Sequence, residues 1–254
     1  MTVCAPTKPI DTKVIADHRL EHGDTLDFLS RLGPGSVDVL ITDPPYSEHT
    51  QANIYGSVDV TKGQTVAERK IDLGFDFLQP ELRRACAEHY WRIVRRWLLI
   101  FSDEEGTQPW RDDLRRVGFE IIRTGIWVKV SPRPQITGDR PAAGHEPFIL
   151  AHRPEIKKRW NGGGRPAVYE YPAREPSERE RLHPTQKPLG LLQALIRDYT
   201  DPGELVLDNF AGVASTGVAA LREGRRFVGV EAMEEHHTNA QRRLRDVRHQ
   251  PALF

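Results

Sequence analysis

Residues 205–217, LVLDNFAGVASTG, carry the pattern from which the fold is read. Leu205, Val206 and Leu207 form a short apolar run of the kind that makes a buried strand. Asp208 ends it. A turn of small residues follows, with Ala211, Gly212, Ala214, Ser215, Thr216 and Gly217, and Val218 to Arg222 continue as a helix that Gly224 stops. Phe227, Val228, Gly229 and Val230 are the next strand, ending in Glu231, and residues 234–247 are the last helix. The repeat β-turn-α-β-α is half of a doubly wound, mostly parallel α/β sheet. Small residues let a ligand approach the backbone, and helix N-terminal amides favour an anionic group. Glu231 stands about 20 residues after the turn begins, where α/β nucleotide folds place the acid that accepts from ribose hydroxyls. The spacing is not GxGxxG, so an adenosine-type ligand fits better than NAD.

Outward from this unit the signals keep alternating. Residues 37–42, VDVLIT, read as a buried strand between Gly35 and Pro44-Pro45, and a shorter strand precedes Gly23-Asp24. Residues 81–96 have helical spacing, 97–102 a strand pattern, 107–117 a helical one, and 119–129 an extended one. Residues 148–151 are a short apolar run, and Pro188 opens an amphipathic helix over 189–199. Two stretches stand apart. Residues 47–77 are a polar, Gly-containing excursion, and residues 131–182, rich in Pro, Gly and Arg, read as surface loops. The expectation is one domain over 1–254 with these two as loop insertions.

Composition excludes several classes. The 254 residues are 38% hydrophobic and 28% charged, too mixed for a disordered chain. The apolar run at residues 97–101 is far short of the ~20 residues of a membrane helix, and no secretory pattern is visible at the N-terminus. Cys4 and Cys86 cannot by themselves build a disulfide framework or a zinc site, so a reducing cytoplasm is expected, and no metal. Net charge is zero, which excludes a strongly basic nucleic-acid binder but not a basic face. Residues 1–80 hold 7 Lys/Arg against 12 Asp/Glu, and residues 129–165 hold 8 against 3. That basic segment either clamps a polyanion or is a solvated loop.

Two further segments could carry chemistry. Thr42-Asp43-Pro44-Pro45-Tyr46 follows a strand directly, which puts it on the ligand side of a parallel sheet. The prolines stiffen the backbone, so the Asp43 carboxylate and the Pro44 carbonyl can present two acceptors to the two hydrogens of an exocyclic amino group. Tyr46 offers a flat face for a base. His183-Pro184-Thr185-Gln186-Lys187-Pro188 precedes a helix, where the Thr185 hydroxyl and the Lys187 charge suit a carboxylate. His183 has the chemistry of an acid/base group, although a lone loop histidine is more often structural.

Taken together, the three segments resemble the amino-group DNA methyltransferases that use S-adenosylmethionine. Residues 43–46, DPPY, are similar to their catalytic motif; 208–216 to the cofactor motif DPFxGSGTT; and 183–188 to the HPTxKP segment of the β group. The order, catalytic motif first and cofactor motif last, is that group's circularly permuted order. The resemblance implies a Rossmann-like methyltransferase fold. It assigns catalysis to Asp43, Pro44, Pro45 and Tyr46. Cofactor binding falls to Asp24, Asp43, Thr185, Lys187, Asp208, Asn209, Phe210, Ala211, Gly212, Ser215 and Glu231. Within that set Phe210 to Gly212 line the methionine portion, Asp208 meets its amino end, Glu231 holds the ribose, Thr185 and Lys187 approach the carboxylate, and Asp24 accepts from the adenine amino group. Asn209, Val213 and Ala214 depart from the usual proline, serine and glycine.

The expected partner is double-stranded DNA, with no membrane and, as in relatives of the group, a homodimer. The expected location is the cytoplasm, at the nucleoid, in a modification or restriction-modification role. With no room for a separate recognition domain, residues 47–77 and 131–182 become the DNA-recognition elements, with Arg133, Arg140, Lys157, Lys158 and Arg159 on phosphates. In this group DPPY accompanies N6-adenine more often and SPPY accompanies N4-cytosine, so Asp43 favours adenine, flipped out of the duplex. N4-cytosine and a catalytically inactive DNA-binding relative are the alternatives. Cytosine C5 chemistry lacks its Pro-Cys loop. RNA or protein-amide methylation, with NPPY, does not fit the permuted order.

Overall fold

The computed structural model describes residues 8–47, 78–130, 132, 138–139, 141–174 and 186–248. Eight strands form one sheet: β1 His18–His22, β2 Val37–Thr42, β3 Val94–Phe101, β4 Glu120–Val130, β5 His145–His152, β6 Val168–Pro172, β7 Leu205–Asp208 and β8 Arg226–Glu231. Their order is β1-β8-β7-β2-β3-β5-β4-β6. Neighbours pair in parallel except at β5, which is antiparallel to both β3 and β4. Among the described residues six α-helices accompany the sheet: α1 Thr25–Arg31, α2 Pro80–Ile93, α3 Glu104–Val117, α4 Leu189–Tyr199, α5 Ser215–Arg222 and α6 Glu234–Arg248. The doubly wound, mostly parallel α/β architecture expected from the sequence is the one observed.

Strand periodicity sorts the core into two layers. Val39, Ile41, Trp97, Leu99, Val206 and Phe227 pack with α4, α5 and α6 on one face. Leu40, Leu98, Ile100, Leu207, Val228 and Val230 pack with α1, α2 and α3 on the other. Both faces are covered, which is why these strands read as continuous apolar runs rather than as alternation. Among the described residues no helix is long and apolar enough to cross a membrane.

The structure differs from the sequence reading in two places. The helix expected over 81–96 ends at Ile93, and β3 begins at Val94. Val94 pairs with Val37 on β2, and Arg95 reaches Asp38 at 3.1 Å, so sheet pairing takes residues that helical spacing had claimed. Residues 131–182 are also not all loop, because β5 and β6 lie inside them. β5 is a fully embedded strand. β6 is an edge strand in which Tyr169 is buried while Val168 and Glu170 face outward; five residues of weak alternation amid Pro and Gly hide it. Of the expected excursion at 47–77, all but Ser47 lies outside the described residues.

Two side-chain features lock the strand ends that matter. The Thr42 hydroxyl at the end of β2 donates to Asp208 Oδ1 at 2.7 Å, tying β2 to β7. The Phe210 amide donates to the same oxygen at 3.1 Å, and Thr216 also bonds this carboxylate. Asp208 is 3% exposed, and burial pushes its carboxyl up to about 6 against those hydrogen bonds. Beside it, Gly229 is required by close approach: a Cβ there would lie 2.7 Å from the Asp208 carbonyl oxygen and 2.7 Å from the Phe227 ring.

Gly229→Ala should therefore destabilise the chain by about 1–3 kcal/mol, the cost of overpacking against backbone that cannot yield; urea denaturation measures it. Asp208 makes a second prediction. Folded, it keeps its proton up to about pH 6, against the ordinary carboxylate value of 3.8. Between those values the folded chain binds more protons than the unfolded one, so this group's contribution falls as pH rises. At pH 7 the loss is roughly 2–3 kcal/mol relative to pH 4. Asp208→Asn should remove that fall, so the variant gains on the parent between pH 4 and 7. Parallel stability profiles would show that the carboxyl is not held up.

Candidate active site

The carboxyl ends of β1, β8, β7, β2 and β3 open on one edge of the sheet, and the sequence-predicted motifs meet there. After β7 the chain turns through Asn209, Phe210, Ala211, Gly212, Val213 and Ala214 into α5. Gly212 has φ +53° with open space where a Cβ would stand. Its amide donates to Glu231 Oε2 at 2.7 Å, and the Met233 amide donates to Glu231 Oε1 at 2.8 Å. Each carboxylate oxygen keeps a lone pair beyond these bonds, with the His236 Nδ1 atom 3.8 Å from Oε1. Phe210 and Gly212 are partly exposed, while Asn209, Ala211, Val213 and Ala214 are buried. The turn thus offers a ligand a backbone floor with a carboxylate at its edge.

Ala214, which stands where the motif of the resembling group has glycine, adopts φ 56° and ψ 41°, the one left-handed non-glycine among the described residues. That geometry costs an L-residue about 1–2 kcal/mol, and the hydrogen bonds from the Ala214 amide to the Ala211 carbonyl (2.7 Å) and from the Val218 amide to the Ala214 carbonyl (2.9 Å) hold it there. The departure from glycine leaves the turn's backbone conformation in place.

Several expected cofactor contacts have other work. The Asn209 side chain is 1% exposed. Its Nδ2 donates to Thr25 Oγ1 at 2.7 Å, and its Oδ1 accepts from the Tyr90 hydroxyl at 2.9 Å. The amide ties the turn to α1 and α2 and faces away from the open edge. Asp208, braced as described, is likewise internal. Ser215 Oγ accepts from Arg243 on α6 at 3.0 Å. Asp24 caps α1, with Oδ1 accepting from the Asp27 amide at 2.9 Å, and is exposed at the end of β1. Thr185, with His183, lies outside the described residues.

The Asp43 side of the edge is a cluster of charges. Lys187 was expected on a ligand carboxylate; the structure turns it to the protein's own acids. Its Nζ donates to Asp43 Oδ2 at 2.6 Å and to the Tyr46 hydroxyl at 2.9 Å, and pairs with Glu146 Oε2 at 3.1 Å. The Tyr46 hydroxyl donates to Glu146 Oε2 at 3.0 Å, and Lys129 pairs with Glu146 Oε1 at 2.7 Å. The ammonium also lies 5.0 Å from the centre of the Phe101 ring and 5.2 Å from that of Tyr46. Burial alone would lower the Lys187 pKa, but the Asp43 and Glu146 carboxylates outweigh it and hold it above the usual lysine range. Burial would raise Glu146, yet Lys187 and Lys129 bring it down to about 2. Burial pushes the Asp43 carboxyl up against the pull of Lys187, and burial with the neighbouring carboxylates pushes the Tyr46 phenol well up. Asp43 Oδ1 is shut off from solvent and, among the described residues, has no hydrogen-bond partner. Such an atom costs free energy unless something donates to it.

Glu146, Lys129 and Phe101 carry no motif and were not read from the sequence. Pairing across β3, β5 and β4 brings them to Tyr46 from remote segments. Lys157, Lys158 and Arg159 are placed elsewhere. They follow β5, which runs against its neighbours, so they stand at the opposite edge of the sheet. Lys158 pairs with Glu120 at the start of β4 at 2.6 Å, and Arg159 with Asp201 at 2.8 Å. Arg133 and Arg140 lie outside the described residues.

Comparison with known proteins agrees with this arrangement. The DNA methylase family matches residues 37–242. YubD of Escherichia coli (strain K12) is 32% identical over 234 residues, covering 89% of each chain. The M1.HpyAVI–SAM complex superposes with a TM-score of 0.68 at 24% identity, covering 89% of this chain and 98% of that one. PvuII DNA methyltransferase, cytosine-N4-specific, gives 0.69 at 16% identity over 91% of each chain. The two structures share the fold. The matched span reaches from the strand before Asp43 to the helix after Glu231, and on that span the chain belongs to the DNA methylase family.

Proposed function

We propose that this DNA methylase transfers a methyl group from S-adenosylmethionine to the exocyclic N6 of an adenine flipped out of double-stranded DNA. The observation that carries the reading is Asp43 Oδ1, a buried acceptor without a donor at the end of β2. An exocyclic amino group supplies that donor. The Gly212 turn and Glu231 suit the adenosine and methionine portions of the cofactor, and a SAM complex of a like-folded protein supports the choice. The occurrence of the Asp43 motif before the cofactor turn in the chain supports the permuted β-group assignment.

The bound cofactor supplies a sulfonium methyl that is already activated toward a nucleophile. The protein's task is to make the amino nitrogen nucleophilic and hold it in line. Asp43 Oδ1 accepts a hydrogen bond from one amino hydrogen, and the Pro44 carbonyl accepts one from the other. Both hydrogen bonds draw the nitrogen toward sp³ geometry and localise its lone pair. As the N–CH3 bond forms the S–CH3 bond breaks, and its electron pair stays on the departing sulfur. The positive charge that develops on nitrogen is stabilised by the Asp43 carboxylate at close range. The nitrogen then gives up one proton by way of the Asp43 carboxylate to solvent. Tyr46 stacks on the base and offsets part of the few kcal/mol needed to unstack it. Lys157, Lys158 and Arg159 stand at the other edge of the sheet, away from Asp43. Asp43 rather than serine favours adenine over cytosine in the resembling group, and the same carboxylate would serve N4 of cytosine.

Asp43→Ala tests the assignment. Methyl transfer from tritiated S-adenosylmethionine to unmethylated DNA should fall by about a hundredfold or more, with cofactor affinity within about twofold of the parent. Equal loss of both would place Asp43 in the cofactor site or in folding instead.

A further inference from the structure

Glu146 reaches the site from the first residues of β5, the one strand that runs against its neighbours. One of its oxygens accepts from the Tyr46 hydroxyl and pairs with Lys187; the other pairs with Lys129. We propose that Glu146 is a positioning residue for methyl transfer: it holds the outer end of the Tyr46 ring and the Lys187 ammonium so that Asp43 Oδ1 stays open to the target amino group. This rests on the roles of Asp43 and Tyr46 proposed above.

The count of hydrogens makes the case. An ammonium has three donors. Lys187 spends two on Asp43 Oδ2 and the Tyr46 oxygen, and its ion pair with Glu146 Oε2 at 3.1 Å draws the third toward that carboxylate. With the third hydrogen drawn to Glu146, none is left to reach across to Asp43 Oδ1. Without Glu146, the ammonium is free to bridge both oxygens of Asp43 and to close the acceptor. The phenol is fixed in the same way, donating to Glu146 and accepting from Lys187, which pins the far end of a ring otherwise anchored only at Cβ. Lys129 holds the outer oxygen of Glu146, so the carboxylate cannot swing away. Asp43 and Glu146 against Lys187 and Lys129 sum to zero charge. Partly buried ion clusters rarely improve on apolar packing for stability alone, so a cluster with this connectivity beside an open acceptor fits a positional role.

The test uses the full chain in single-turnover transfer from tritiated S-adenosylmethionine to unmethylated DNA. Glu146→Gln and Tyr46→Phe are each expected to slow transfer about tenfold or more, with cofactor affinity unchanged. The double variant is expected to be no slower than the slower single one, since the two residues act through one contact. A parental rate in Glu146→Gln, or losses that multiply, would overturn the proposal. If Glu146→Gln does not fold, Lys129→Met loosens the same carboxylate and should show a smaller loss of the same kind; a parental rate there overturns it as well. If the parent methylates no DNA, the functional reading fails, and the Lys187 ¹³Cε titration decides about Glu146 on its own. A titration moved to lower pH in Glu146→Gln upholds the contact, and an unmoved one overturns it.

Discussion

The Lys187 ammonium lies among Asp43, Tyr46 and Glu146 at the carboxyl edge of the sheet, and its two hydrogen bonds and its ion pair with Glu146 set the geometry of everything beside it. Asp43 is left with one bonded and one open oxygen. Tyr46 is fixed at its hydroxyl. β5 must run antiparallel for Glu146 to arrive at this edge, and α4 must begin just after Lys187 for the lysine to be drawn inside. A charge so enclosed is tolerated only because acids surround it, and those acids are in turn usable because the charge is there.

The other half of the site depends on a quieter constraint. The Thr42 hydroxyl joins β2 to Asp208 and so ties the ends of β2 and β7 together. Behind the turn, Asn209 replaces a residue with no donors by an amide, and Tyr90 and Thr25 absorb it. Ala214 takes a glycine's conformation. The altered turn is therefore held by local bonds rather than lost, with Gly212 partly exposed and the Glu231 carboxylate bonded beside it.

Much of this was legible because the motifs are contiguous. A strand followed at once by Asp43, Pro44, Pro45 and Tyr46, and another followed by a small-residue turn, announce both their conformation and the edge they face. Glu146, Lys129 and Phe101 gave no such signal, because only antiparallel pairing through β5 brings them to Tyr46. β5's direction also decides where the basic segment stands: charge marks Lys157, Lys158 and Arg159 as a patch, but not the end of the sheet on which they lie. β6 went unread because an edge strand with one buried residue, Tyr169, hardly differs from loop. Asn209 was read with its motif neighbours, since nothing nearby in sequence reveals that Tyr90 claims its side chain.

The central claim, that an open acceptor beside a held tyrosine prepares an adenine amino group for methylation, is tested most directly by nucleoside mass spectrometry. Unmethylated DNA is incubated with the purified protein and S-adenosylmethionine, digested, and its nucleosides weighed. The account predicts N6-methyladenine that disappears when the cofactor is omitted. N4-methylcytosine in its place would contradict the assignment of the base, and no methylated nucleoside at all would contradict the claim itself.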